Sequence, residues 1–120
     1  MNKIVIVGNL CSDPELRSTP DGKSVCNFNV AVNRRKKPGK EQETDFFRIS
    51  AWNGQAESCS KFLTKGSKVG IIGSVSVHPY KDRSGEARAT IEVLADDVEF
   101  ISTARDKQTG FEKVDEEVPY

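Results

Sequence analysis

"TDFFRISAWNGQAESCSKFLTKG", residues 44–66, changes its period halfway along. Residues 44–52 hold aromatic and β-branched side chains in a short alternating run closed by Asn53-Gly54, which is the signature of a strand. Residues 55–65 fit a short helix instead. Asn53 stands at the N-cap position, Ala56, Cys59, Phe62 and Leu63 form an apolar stripe, and Gly66 is the stop. The strand itself is unusual. One face carries Phe47, Ile49 and Ala51, an ordinary core face; the other carries Phe46, Arg48, Ser50 and Trp52. Two large aromatics therefore share the polar face with an arginine.

The neighbouring segments are strands as well. Residues 3–10, "KIVIVGNL", are apolar on both faces, so an internal layer or another subunit is expected over each face. "STPDGKS" (18–24) is a turn, because Pro20 presets φ and Gly22 accepts positive φ. "VCNFNVAVN" (25–33) alternates, with Cys26, Phe28, Val30 and Val32 inward and Asn27, Asn29 and Asn33 on the other face. "SKVGIIGSVSV" (67–77) places Val69, Ile71, Val75 and Val77 on one face, and its Gly70 and Gly73 suggest bending or close backbone approach. "HPYKDRSGEA" (78–87) reads as a long hairpin loop that includes His78. "RATIEVLADDVEFI" (88–101) is the last strand, with a bulge near Asp96 and Asp97 where the alternation slips.

The order is three strands, a helix and two strands. Short, bent, glycine-bearing strands with that helix placement fit an all-β fold, the five-stranded OB barrel with one short helix between strands 3 and 4. Other small barrels fit the same strand count. After residue 103 the pattern dissolves into polar, aperiodic sequence, and residues 104–120 read as a disordered tail ending in acidic "DEEVPY".

A chain of 120 residues makes one domain, and 36% hydrophobic against 30% charged residues implies a thin core under much polar surface. Formal net charge is zero, but its distribution is uneven: residues 1–103 carry 15 bases and 13 acids. "RRKKPGK" (34–40) holds five bases and no acid, while the last six residues hold three acids and no base. A basic loop and an acidic end point to two different contacts. Cys11, Cys26 and Cys59 have no CxxC spacing, and with a single histidine no metal site is expected; free thiols in a reducing cytosol are. "MNKIVIVGNL" has too short an apolar run for a signal peptide, and no segment approaches the length of a membrane span.

"NKIVIVGNLCSDPELRSTPDGKSVCNFNVAVNR", "DFFRISAWNGQAE" and "FLTKGSKVGIIG", together with a closing acidic peptide ending in Pro plus an aromatic, resemble bacterial and phage single-stranded DNA-binding proteins. The resemblance runs over nearly all of residues 1–103 and resumes at the last six. It implies an OB-fold domain over 1–103, a short flexible linker over 104–114 and a partner-binding tip over 115–120. It also implies a homotetramer, binding of single-stranded DNA with little sequence preference during replication, recombination and repair, and a cytoplasmic location.

Residue by residue, Phe46 and Trp52 stand where the family places stacking aromatics. Tyr80 falls where it carries another, on the loop between the fourth and fifth strands. Arg34 and Arg35 depart from members with a tryptophan there, which shifts weight from stacking toward phosphate contact. The side-chain chemistry agrees: stacking platforms beside cations hold a single strand whatever its sequence, because every base has a π-face. The expected DNA-binding set is Phe46, Arg48, Trp52 and Tyr80 with Arg34, Arg35, Lys36 and Lys37. The alternative for the aromatics is burial under a loop or another subunit, and for "RRKKPGK" a solvated loop.

In the tip, Asp115, Glu116 and Glu117 would steer toward basic partner surfaces, and Val118, Pro119 and Tyr120 would dock. Members usually end in Phe; a Tyr120 hydroxyl buried without a partner costs roughly 1–3 kcal/mol. The eleven-residue linker spans roughly 17–20 Å, so the tip stays near the barrel. That short linker fits a phage protein as well as a secondary bacterial paralogue. Two further classes stand beside the DNA binder. One is an accessory docking module. The other is an enzyme, for which the sequence offers no phosphate-cradling loop, no metal spacing and no nucleophile with its base; "SCSK" (58–61) matches S-x-x-K without its companion motifs. No cofactor is expected.

Overall fold

The computed structural model describes residues 1–102. The expected linker (104–114) and tip (115–120) lie outside the described residues. Six strands and one helix follow in order: β1 (Ile4–Leu10), β2 (Glu15–Ser18), β3 (Ser24–Asn33), β4 (Thr44–Trp52), α1 (Gly54–Phe62), β5 (Lys68–Lys81) and β6 (Ala87–Ser102). The sheet runs β1-β5-β6-β4-β3-β2, and a further pairing of β1 with β3 closes five of the strands into a barrel. All pairs are antiparallel except β4 with β6. Five barrel strands with one parallel pair, and a helix between the third and fourth of them, make the expected OB topology.

The sixth strand, β2, has no counterpart in the sequence reading. "ELRS" has no apolar alternation, and all four residues are exposed. It is a strand because the turn at Thr19–Lys23 folds it back on β3, pairing Glu15 with Asn27 through Ser18 with Ser24. Gly22 sits in that turn at φ 84°, as the Pro-Asp-Gly sequence demands.

The core is the set of inward positions on five strands plus the helix stripe, with Ile6 and Leu10 contributed by β1. Cys26, Phe28 and Val30 of β3, Ile49 and Ala51 of β4, Val69 and Ile71 of β5, and Val93 of β6 are all buried. Ala56, Cys59 and Leu63 cover the barrel from the helix side. Phe62 was expected in that stripe but is exposed, resting against Phe100 with ring centroids 6.1 Å apart. Asn53 occupies the N-cap position at φ 55°, yet its side chain makes no capping bond. The tight Asn-Gly corner, more than a capping oxygen, starts the helix.

Gly70 and Gly73 part company. A Cβ on Gly73 would lie 2.2 Å from the Leu94 carbonyl oxygen, whereas one on Gly70 would meet only ordinary contacts. The close approach coincides with the expected bulge: Ile72 pairs with Asp97 and Gly73 with Ala95, leaving Asp96 unmatched.

The segment 78–87, read as a long loop, is mostly strand. β5 and β6 stay paired from Val77 with Ile91 out to Lys81 with Ala87, and only residues 82–86 turn. Val77 is consequently exposed on a two-stranded arm, not buried in the barrel. Asp82 holds the turn together. Its carboxylate accepts bonds from the Ser84 hydroxyl and backbone, the Glu86 backbone and Arg88 Nε, and these hold its pKa down at about 2.

Candidate nucleic-acid interface

Strand register decides which side chains meet. Along β3 and β4, Val25 faces Trp52, Asn27 faces Ser50, Asn29 faces Arg48 and Ala31 faces Phe46. Across the parallel seam, Arg48 lies beside Glu92 and Ser50 beside Leu94. Across β5 and β6, Leu94 faces Ser74, Glu92 faces Ser76, Thr90 faces His78 and Arg88 faces Tyr80. Directly paired residues share a sheet face. Phe46, Arg48, Trp52 and Tyr80 therefore stand on one face of the four-stranded run β3-β4-β6-β5, and that face is turned away from the core.

Phe46 is 63% exposed, Tyr80 52% and Trp52 37%, while Ile49 and Ala51, between them on β4, are fully buried. The two faces of β4 are split as the sequence indicates. Phe47 is half-buried against the core. Tyr80 corrects one expectation, since it lies on β5 within the arm and not in a loop.

Two shallow hollows lie on this face along the β4–β6 seam. One, of about 380 Å³, is lined by Asn29, Phe46, Phe47, Arg48 and the β6 segment Ala89–Ile91. The other, of about 430 Å³, is lined by Lys23, Trp52, Asn53, Leu94, Ala95 and Asp96. Each is open, and each has one of the exposed aromatics as a wall, so a flat base has a π-face to lie on. Between them the surface is polar and ordered. Asn27 donates to Ser50 Oγ at 2.7 Å and accepts from Arg17 at 3.2 Å.

The charged groups on this face are unequally committed. Among the described residues no carboxylate is ion-paired with Arg48. Its cross-strand neighbour Glu92 lies 3.2 Å from His78 Nε2 instead. Asp96, at the Trp52 hollow, is held by Lys3 at 2.6 Å.

Arg34 is the most tied of the expected bases. Its Nε and Nη2 donate to the two Asp45 oxygens at 3.0 and 2.9 Å, and its Nη1 donates to Glu43 at 2.9 Å. The hydrogen bonds from Arg34 hold the Asp45 carboxyl below its ordinary range, and the same contact raises Arg34. Arg35, Lys36 and Lys37 make no ion pair among the described residues.

The pattern did not single out several bases that lie beside this face and its loop. Lys23 reaches the Trp52 hollow from the β2–β3 turn, Lys40 lines a hollow at the β3–β4 loop, and Arg88, paired with Asp82 and Glu86, stands opposite Tyr80. Their only sequence signal is positive charge; their places depend on how the hairpins fold and pair. Among the described residues no group of three His, Cys, Asp or Glu side chains is placed to hold a metal ion. The three cysteines are free; burial raises the Cys26 thiol and pushes Cys59 up to about 12, with Cys26 adding to it. Thiols so held are poor nucleophiles.

Residues 1–101 match the family model described as the single-strand binding protein family. Single-stranded DNA-binding protein 2 of Clostridium acetobutylicum is 39% identical over 120 residues, covering 99% of this chain and 89% of its own. Single-stranded DNA-binding protein 3 of Listeria innocua is 42% identical over 111 residues, covering 92% of this chain and 68% of its own. Single-stranded DNA-binding protein A of Bacillus subtilis is 40% identical over 102 residues, covering 84% of this chain and 59% of its own. The match spans nearly all of the OB barrel, and the chain belongs to the single-strand binding protein family.

Proposed function

We propose that this protein binds single-stranded DNA without reading its sequence, on the open face of β3-β4-β6-β5. The observation that carries this is the pair of exposed aromatics, Phe46 and Trp52, each walling a hollow, with Arg48, which among the described residues has no carboxylate partner, on the strand between them. Bases stack on Phe46, Trp52 and Tyr80, each worth roughly 1–3 kcal/mol. Phosphates lie against Arg48 and the basic loop, where Arg35, Lys36 and Lys37 have no carboxylate partner among the described residues. No step of bond making is assigned; the relatives are named for DNA binding.

The finer reading rests on the resemblance to the family. The protein shields exposed strands during replication, recombination and repair in the bacterial cytosol. Residues 115–120 recruit partner proteins through an acidic, Pro-aromatic end. A homotetramer is supported by the outward side chains of β1 and β5. Val5 is 69% exposed, and Val7 and Ile72 are exposed beside it, an apolar strip that another subunit would cover. Light scattering checks the subunit count; a monomer at micromolar concentration contradicts it.

The test of the binding reading is competition for a labelled oligo-dT at moderate salt. Unlabelled dT and mixed-sequence single strands should compete within a few-fold of each other, and duplex of the same length should compete poorly. Equal competition by duplex would refute it. A chain lacking 115–120 should behave the same in this assay and lose capture of replication and repair proteins; unchanged capture removes the recruitment role.

A further inference from the structure

The loop that joins β3 to β4 carries its charges in two groups. At its base, Arg34 grips Asp45 with a bidentate fork and reaches Glu43 with its remaining terminal nitrogen. The Arg34 backbone is tied in as well: its N–H donates to the Glu43 carbonyl at 2.9 Å, and its carbonyl accepts from Gln42 Nε2 at 2.7 Å. Gln42 also donates to the Glu43 carbonyl at 3.0 Å. One strand pair further in, the Thr44 hydroxyl donates to Asn33 Oδ1 at 2.8 Å. Beyond this base the loop turns at Gly39, with φ 76°, and the Lys40 N–H donates to the Lys37 carbonyl at 3.1 Å. A hollow of about 190 Å³ opens there, lined by Arg34, Arg35, Lys37, Lys40, Glu41 and Glu43.

A guanidinium answering two carboxylates presents little positive field to a third anion, and its donors are already directed. Arg35, Lys37 and Lys40 have neither restriction: among the described residues none is in an ion pair. Glu41 and Glu43 also line the hollow, so the cationic surplus there is modest and rests on Arg35, Lys37 and Lys40.

We infer that Arg34 is a positioning residue that braces the base of the loop, while Lys40 joins Arg35, Lys36 and Lys37 as a phosphate ligand of this loop. This rests on the DNA-binding reading above. It removes Arg34 from the residues that touch nucleic acid and adds Lys40, which the run "RRKKPGK" does not distinguish from its neighbours.

The two roles separate in the salt dependence of binding. Each phosphate neutralised on a single strand adds about 0.7 to the slope of log affinity against log salt. Neutralising Arg34 together with its partner, in Arg34→Gln/Asp45→Asn, should leave that slope for oligo-dT unchanged. Arg35→Gln, Lys37→Gln and Lys40→Gln should each lower it by about 0.7. Arg34→Lys keeps the charge but cannot make the fork, so it should weaken binding with the slope intact. A slope reduced by about 0.7 in the double variant, or unchanged in the three single ones, overturns the assignment. Both substituted positions in the double variant are at the surface, and an unchanged thermal midpoint confirms that the fold persists. Failure of the wild-type chain to bind oligo-dT at all would instead overturn the reading of the whole face, and this role with it.

Discussion

Phe46 and Phe47 are adjacent in sequence and chemically identical, and the pleat gives them opposite tasks. Phe46 is 63% exposed on the open face; Phe47 packs against the core. Phe46→Ala should therefore weaken oligo-dT binding by about 1–3 kcal/mol, with the urea midpoint unchanged. Phe47→Ala should lower stability by up to about 3 kcal/mol. Anisotropy titration and urea denaturation of the two variants check this, and a reversal of the two outcomes would show the faces exchanged. This division was legible in one sequence because alternation over 44–52 is unbroken: Phe47, Ile49 and Ala51 on one side, Phe46, Arg48 and Trp52 on the other. The state of Arg34 was not legible. A run of bases reads as free charge, and only the closeness of Asp45 and Glu43 across the hairpin shows that this one is engaged.

At the level of elements, period and punctuation carried most of the fold. The five barrel strands, the helix after Asn53-Gly54 and the slip at Asp96 follow from alternation, turn residues and its interruption. What escaped were elements held by their partners. β2 exists because a tight turn lays it on β3, and the arm of β5 and β6 continues where polar residues alternate with no apolar face to announce them. The glycines of β5 show how far local reading goes. Gly70 and Gly73 look alike in sequence, yet only Gly73 lies under a neighbouring carbonyl, at the bulge. Gly73→Ala should destabilise the barrel by at least roughly 1–3 kcal/mol, because backbone must move to admit the methyl group. Gly70→Ala should be tolerated. Equal urea midpoints for the two variants would contradict the close approach at Gly73.

For the molecule as a whole, the barrel carries two groups of exposed apolar side chains, one centred on β1 and one on β4. Val5 and Val7 stand on β1, away from Phe46 and Trp52 on β4. A subunit contact on the first leaves the second open to DNA. Neither surface shows in the composition, because zero net charge and 36% hydrophobic residues describe many proteins. Both appear once strands are given faces and faces are assembled by register. The only tryptophan lies on the proposed DNA face, so its fluorescence reports on the central claim without labelling. Titration with oligo-dT at moderate salt should quench Trp52 strongly and saturably, and added salt should reverse the change. Fluorescence that stays constant while the strand is demonstrably bound would place DNA elsewhere on the barrel; constant fluorescence with no binding would contradict the function itself.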